Sequence, residues 1–267
     1  MKKILYDYPF VFIDNKKANK EPIIFVHGFN SGPEIHNIFA NKWTDNDYYA
    51  IAFPGNSLLE PKNNHEVSVY QFADLLIEFI KKNELKNVIA IGHSMGGGII
   101  SLAYSKEPKL FSKLIYVAPM NKSSLKLKNS FRQHYFPKTF EEFKTFIKGL
   151  YFDGDAIINS EKFNTIEKKK FNPYLYNNPN ILKLGRSLPN IDLMNKIEEG
   201  LNKINIPTLL MLGEKDVVID REECIKYFKE NVKNIQIEVF PQTGHMLYFE
   251  NFILYFKTIK DFINLSN

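Results

Sequence analysis

Apolar positions along the chain fall into two alternating rhythms. Short, almost wholly apolar runs occur at Ile23–Val26, Tyr49–Phe53, Val88–Ile91, Leu114–Val117 and Thr208–Leu212, and a polar-alternating run at Ile235–Phe240. Runs of this kind suit strands, with the continuous ones buried on both faces. Between them, apolar residues recur three and four apart. Val69, Phe72, Leu75, Leu76, Phe79 and Ile80 mark one helical face between Ser68 and Lys82. A second amphipathic helix is expected from about Leu247 to Phe262, and Tyr6–Ile13 reads as one or two edge strands. The alternation predicts an α/β fold with a mostly parallel sheet covered by helices on both faces.

The rhythm breaks between Met120 and Ile206, a stretch too long for a bare connection. Thr139-Phe140-Glu141-Glu142 has the form of a capping box, followed by Phe143, Phe146, Ile147 and Leu150 at helical spacing. Asn-Pro pairs at 172–173 and 178–179 punctuate the middle, and another helix is expected over Asp192–Leu201. The segment reads as a helical cap, residues 120–206, inserted into a core formed by 1–119 and 207–267. Its many Phe and Tyr residues fit an apolar roof over a substrate pocket.

Gly92-His93-Ser94-Met95-Gly96 follows the Val88–Ile91 run and leads into a helix-like segment from Gly97 to Tyr104. Strand, Gly-X-Ser-X-Gly, helix is the form of a nucleophile elbow. Its tight turn leaves the serine Oγ exposed and leaves no room for side chains at the two glycines. The helix start favours a developing negative charge there.

A serine hydroxyl needs a base to become a nucleophile, and that base needs a carboxylate to hold its tautomer. In a parallel sheet such groups gather at the carboxyl ends of strands. Of six histidines, His245 lies in such a position, in Gln242-Thr243-Gly244-His245-Met246 after the last strand. His27 also ends a strand but is followed directly by Gly28-Phe29, a setting suited to backbone donors. His93 sits inside the elbow, His36 and His65 in polar connections, and His134 in the cap. Asp216 and Glu214, both after Thr208–Leu212, are the candidate carboxylates. Asp216 sits where a turn fixes a short side chain, whereas Glu214 suits solvent or a lysine. The order Ser94, Asp216, His245 is that of a hydrolase built on a strand–elbow–helix unit. The Phe29 and Met95 N–H groups are the candidate oxyanion donors.

These residues resemble the α/β-hydrolase superfamily: His27-Gly28-Phe29, Phe53-Pro54-Gly55, Gly92–Gly96, Pro207 through Asp216, and Gly244-His245. The resemblance spans nearly the whole chain except the cap. It implies an α/β-hydrolase fold, a mostly parallel central sheet flanked by helices with a helical cap inserted before the penultimate core strand. It also implies a carboxylic-ester hydrolase of the esterase/lipase kind, without cofactor or metal, with Ser94 as nucleophile, His245 as base then acid, and Asp216 as orienting acid. Dehalogenases and epoxide hydrolases share the fold but carry an aspartate at the elbow, so Ser94 speaks against both. Thioester, amide or peptide cleavage and non-catalytic small-molecule binding are the alternatives. Phe53 departs from the acid many relatives carry before Pro-Gly, which bears on the pocket wall.

Composition narrows this further. The 267 residues are 44% hydrophobic, enough for a full core. No run reaches the ~18 apolar residues of a membrane span, and the basic start at Met1–Lys3 gives way too early to Asp7 and Pro9 for a signal peptide. A single cysteine, Cys224, excludes an internal disulfide and reads as core filler. A cytoplasmic location is expected. The net charge of +5 resides in residues 121–200, with 14 Lys and Arg against 9 Asp and Glu. No motif there reads nucleic acid. The expected partner is a small ester with an apolar acyl group, with membrane-surface contact by the basic cap as a further expectation.

Overall fold

The computed structural model describes residues 4–265; the basic start at Met1–Lys3 lies outside the described residues. Seven strands form one sheet: β1 (Phe10–Ile13), β2 (Ile23–Val26), β3 (Tyr48–Ile51), β4 (Val88–His93), β5 (Phe111–Val117), β6 (Thr208–Gly213) and β7 (Ile235–Phe240). Their order is β1-β3-β2-β4-β5-β6-β7. Only β1 with β3 is antiparallel; the other pairings are parallel. Every residue of β2, β4 and β6 is buried, which is why these strands read as unbroken apolar runs. β1 and β7 form the edges and are partly exposed. The segment Tyr6–Ile13 contributes one strand, and β3 ends two residues before Phe53: the Ala52 N–H still reaches the Pro9 carbonyl in register, but Pro9 has no N–H to return the bond.

Helices flank this sheet. Val69–Lys82 starts at Ser68, whose Oγ accepts the Gln71 N–H at 3.2 Å. It packs beside the helix Met95–Lys106, which in turn packs on Ile191–Leu201. Cys224 is buried in the helix Arg221–Asn231, its Sγ accepting from Asn121 Nδ2 at 3.2 Å. The C-terminal helix expected as one piece is two, Leu247–Glu250 and Phe252–Asn264. Asn251 breaks it because its side chain caps the second helix, accepting the Leu254 N–H.

Between β5 and β6 the chain forms a run of helices that includes Lys128–His134, Phe140–Leu150, Gly154–Asn159, Pro179–Arg186 and Ile191–Leu201. Thr139 caps Phe140–Leu150 through the Glu142 N–H at 3.2 Å. The Glu142 carboxylate reaches the Lys138 N–H instead of the Thr139 N–H, so the capping box is displaced by one residue. Aromatic rings here pack on one another: Phe143 lies 5.2 Å from Phe171, 5.6 Å from Tyr176 and 5.9 Å from Phe163.

The parallel register brings the ends of β2, β4, β5 and β6 to one rim. β4 leads there directly into Ser94, with φ 53° and ψ −120°, and the next helix begins at Met95. This left-handed backbone costs about 1–3 kcal/mol for a non-glycine residue. The Ser94 N–H donates to the Val117 carbonyl at 2.9 Å, and its own carbonyl accepts from Met120 and Gly97, each at 2.9 Å. A Cβ on Gly96 would stand 2.1 Å from the Val26 carbonyl oxygen, and one on Gly92 would stand 2.7 Å from the Gly96 oxygen. The elbow thus needs glycine on both sides of Ser94.

Three histidines are fully enclosed. His36 lies between the Tyr48 and Tyr255 hydroxyls, 2.8 Å from each, although its polar sequence neighbours suggested an exposed connection. Burial pushes the His36 imidazole down to about 3 and that of His27 down to about 4. His93 is held well below the ordinary value, first by burial and then by the adjacent His245.

Two outcomes follow from this packing. Gly96→Ala must move the β2 backbone, so it lowers unfolding free energy by about 3 kcal/mol or more, read from urea denaturation. The buried histidines refuse protons that the unfolded chain accepts below pH 6.5. Their stabilising contribution is therefore complete above pH 6.5 and declines as pH falls toward 4. Glu250, whose carboxyl burial raises, offsets part of the loss. Urea midpoints are expected to drop as pH is lowered from 7 to 5.

Candidate active site

His245 and Asp216 come together from loops 29 residues apart. His245 Nδ1 lies 2.8 Å from Asp216 Oδ2, and the two side chains are 4% and 0% exposed. The other carboxylate oxygen, Oδ1, accepts the Val218 N–H at 2.7 Å and the Ile219 N–H at 3.0 Å. The turn after β6 thus aims one oxygen of Asp216 at the histidine and satisfies the other. A hydrogen bond to carboxylate leaves Nδ1 protonated and Nε2 as the free acceptor. Glu214 is exposed and accepts the Gln242 N–H at 2.7 Å, which bonds the β6 and β7 loops together and leaves it outside the His245 contact.

Ser94 and His245 line one cavity of about 210 Å³, together with Gly28, Phe29, Asn30, Tyr176 and Tyr248. Ser94 also lines an adjoining cavity of about 260 Å³ with Met95, Met120, Leu127, Phe131 and Leu188. The two spaces share Phe29, Ser94, Tyr135, Phe146 and Leu150. The serine therefore stands where the lobes meet. Its Oγ makes no hydrogen bond among the described residues, His245 included; such contacts commonly tighten only around a bound substrate. A Cβ on Gly28 would lie 3.1 Å from Ser94 Cβ, so the His27–Phe29 loop lies directly against the serine. Phe29 and Met95, the two candidate donors, both border the serine's cavities.

His93 lies under this pair, its ring 4.9 Å from that of His245. Its Nε2 is 3.1 Å from the His245 carbonyl oxygen and its Nδ1 is 3.4 Å from the Tyr248 hydroxyl. Kept neutral by burial, it places no positive charge beside the His245 imidazole. His27 Nδ1 donates to the Gly28 carbonyl at 2.8 Å, while its Nε2 is buried without a partner. Phe53 packs behind His27, 5.3 Å between rings, and borders neither cavity, so the expectation about the pocket wall does not apply.

Two participants carry no sequence signal. The Tyr135 hydroxyl is buried and unpartnered at the junction of the lobes, its proton held more tightly than usual by burial and then by nearby Asp216. Glu250 accepts the Gly244 N–H at 2.8 Å and the Phe152 N–H at 2.7 Å. Each depends on contacts with distant segments that no local pattern announces. Among the described residues, no group of three His, Cys, Asp or Glu could hold a metal ion, and no helix is long and apolar enough to cross a membrane.

Known proteins were compared on sequence and on fold. The family described as "Serine aminopeptidase, S33" matches residues 17–251. "Putative esterase/lipase 3" of Mycoplasma genitalium is 28% identical over 260 residues, covering 93% of this chain and 89% of that protein. The structure of an esterase from Exiguobacterium antarcticum superposes with a TM-score of 0.73 at 19% identity, covering 95% of this chain and 94% of that one. Est816, described as an N-acyl homoserine lactone degrading enzyme, superposes with a TM-score of 0.76 at 16% identity, covering 95% and 96%. The structural likenesses establish the fold, and the family match extends through the elbow and the Asp216 and His245 loops. This chain is an α/β-hydrolase and belongs to the serine aminopeptidase S33 family of hydrolases.

Proposed function

We propose that the protein hydrolyses carboxylic esters through an acyl-enzyme on Ser94, as an esterase or lipase. One observation carries the reading: His245, paired with the buried Asp216 side chain at 2.8 Å, borders the same cavity as a serine held in a strained turn. Ser94 Oγ bonds to the ester carbonyl carbon while His245 Nε2 takes its proton. Asp216 holds the Nδ1 proton and stabilises the imidazolium. The Phe29 and Met95 N–H groups receive the oxyanion. The carbon–oxygen bond then breaks, and the alcohol leaves with the proton from His245. Water repeats the sequence in reverse and frees the acid.

The proton must reach the leaving group from His245, so the alcohol belongs in the 210 Å³ lobe that His245 borders. The acyl chain then takes the 260 Å³ lobe, where Leu127, Phe131, Leu188 and Val218 favour hydrocarbon. Several of these residues come from the segment 120–206, which acts as the cap of a core made of 1–119 and 207–267. An aminopeptidase would need a carboxylate for the substrate ammonium. Among the described residues no Asp or Glu borders either lobe, which favours an ester over an aminoacyl amide.

Ser94→Ala is expected to cut p-nitrophenyl ester turnover by about 10⁴-fold or more and to abolish fluorophosphonate labelling, with an unchanged melting temperature. Wild-type turnover in that variant, or faster cleavage of aminoacyl amides than of esters, would refute the proposal. Leu127→Trp fills the acyl lobe. It is expected to lower the octanoate-to-acetate rate ratio about tenfold or more while acetate turnover persists. An unchanged ratio would reverse the lobe assignment.

A further inference from the structure

Glu250 stands out because its one carboxylate accepts from Gly244, close by in the chain, and from Phe152, 98 residues away. Oε2 accepts from Gly244 at 2.8 Å and Oε1 from Phe152 at 2.7 Å. Gly244 immediately precedes His245. The His245 N–H itself donates to the Leu150 carbonyl at 2.9 Å. The backbones touch as well: a Cβ on Gly244 would lie 2.8 Å from Phe152 N and 2.9 Å from the Leu150 oxygen. Loop and turn therefore share one set of bonds, with Glu250 at its centre.

We propose that Glu250 is a positioning residue for His245 and that it joins the histidine loop and the Leu150–Phe152 turn into one unit. This rests on the ester-hydrolase reading for its link to turnover. Without the carboxylate, the Gly244 N–H beside His245 and the Phe152 N–H of the turn both lose their acceptor, and the loop is left with its Leu150 bond and the Asp216 contact. The imidazole then samples orientations in which Nε2 misses Ser94 Oγ, and a displacement of about 1 Å costs on the order of 10²-fold in rate. The same bonds mean that the proposed cap cannot lift at this corner without releasing the base. Substrate entry must use another edge of the cap.

The test uses Glu250→Gln, which keeps the shape but offers one acceptor oxygen in place of two, and Gly244→Ala, which forces turn and loop apart while leaving the Glu250 side chain itself unaltered. Ester turnover is measured per serine labelled by fluorophosphonate, which removes any misfolded fraction. Both variants are expected to lose about tenfold or more in kcat per labelled site, with KM within about threefold. A merely structural role would reduce the labelled fraction and the melting temperature while leaving kcat per labelled site intact, and that result overturns the proposal. A second readout needs no turnover: the low-field proton resonance of the His245–Asp216 hydrogen bond is expected to broaden or disappear in Glu250→Gln. If it is unchanged there, the proposal fails. If wild-type protein neither labels nor cleaves esters, the functional reading fails instead, and the resonance alone decides the role of Glu250.

Discussion

Everything at the rim depends on the backbone of Ser94 staying left-handed. The strain of that conformation is offset by bonds that only a correctly paired sheet supplies. His93 and Val117 are register partners across β4 and β5, and this pairing puts the Val117 carbonyl where the Ser94 N–H can reach it. Met211 stands next to Val117 on β6, so the same register sets where Asp216 emerges. Strand register and the placement of reactive groups are therefore one constraint. A slip of one residue would turn every buried side chain of these strands the other way, and it would also separate the serine from its neighbours.

Electrostatics reinforces this geometry. Asp216 is removed from solvent but keeps two backbone donors and the imidazole, so its charge is fully compensated. His93 and His27 lie close by yet stay neutral because burial denies them a proton. His245 is thus the ring in this group that is bonded to a carboxylate and also borders a cavity. Enclosure of His93 keeps positive charge away from the Asp216–His245 pair, although the His93 ring lies only 4.9 Å from that of His245.

Much of this arrangement was legible in the chain, and the reason is local. Ile23–Val26 and Ile235–Phe240 were read to the residue because turn-forming neighbours bound them. Ser94, Asp216 and His245 were legible because each falls in a short loop directly after a strand, where the sheet fixes its address. The burial of His36 was not legible because its partners, Tyr48 and Tyr255, are distant, the latter by 219 residues. Glu250 escaped notice for the same reason: its meaning depends on a turn that reaches it only in the folded molecule. The long helix at the C-terminus was overextended because apolar periodicity continues through Asn251, while the capping side chain stops the backbone there. Periodicity reports which face is buried, and caps decide where an element ends.

The basic excess of residues 121–200 finds a different use from the one its density suggests. Lys122 pairs with Glu198 at 3.1 Å, Lys126 with Glu223 at 2.7 Å, and Lys148 with Asp155 at 2.8 Å. Exposed pairs of this kind add little stability, but they hold charge at the outside of the helices. Lys148 alone among the lysines borders the larger cavity, and its ammonium is engaged with Asp155. The lobe is then left to Met120, Leu127, Phe131, Leu188 and their neighbours. A space so lined favours hydrocarbon, at roughly 25 cal/mol per Å² of apolar surface removed from water. Charge is held at the surface and at the Asp216–His245 pair, with an apolar space between them.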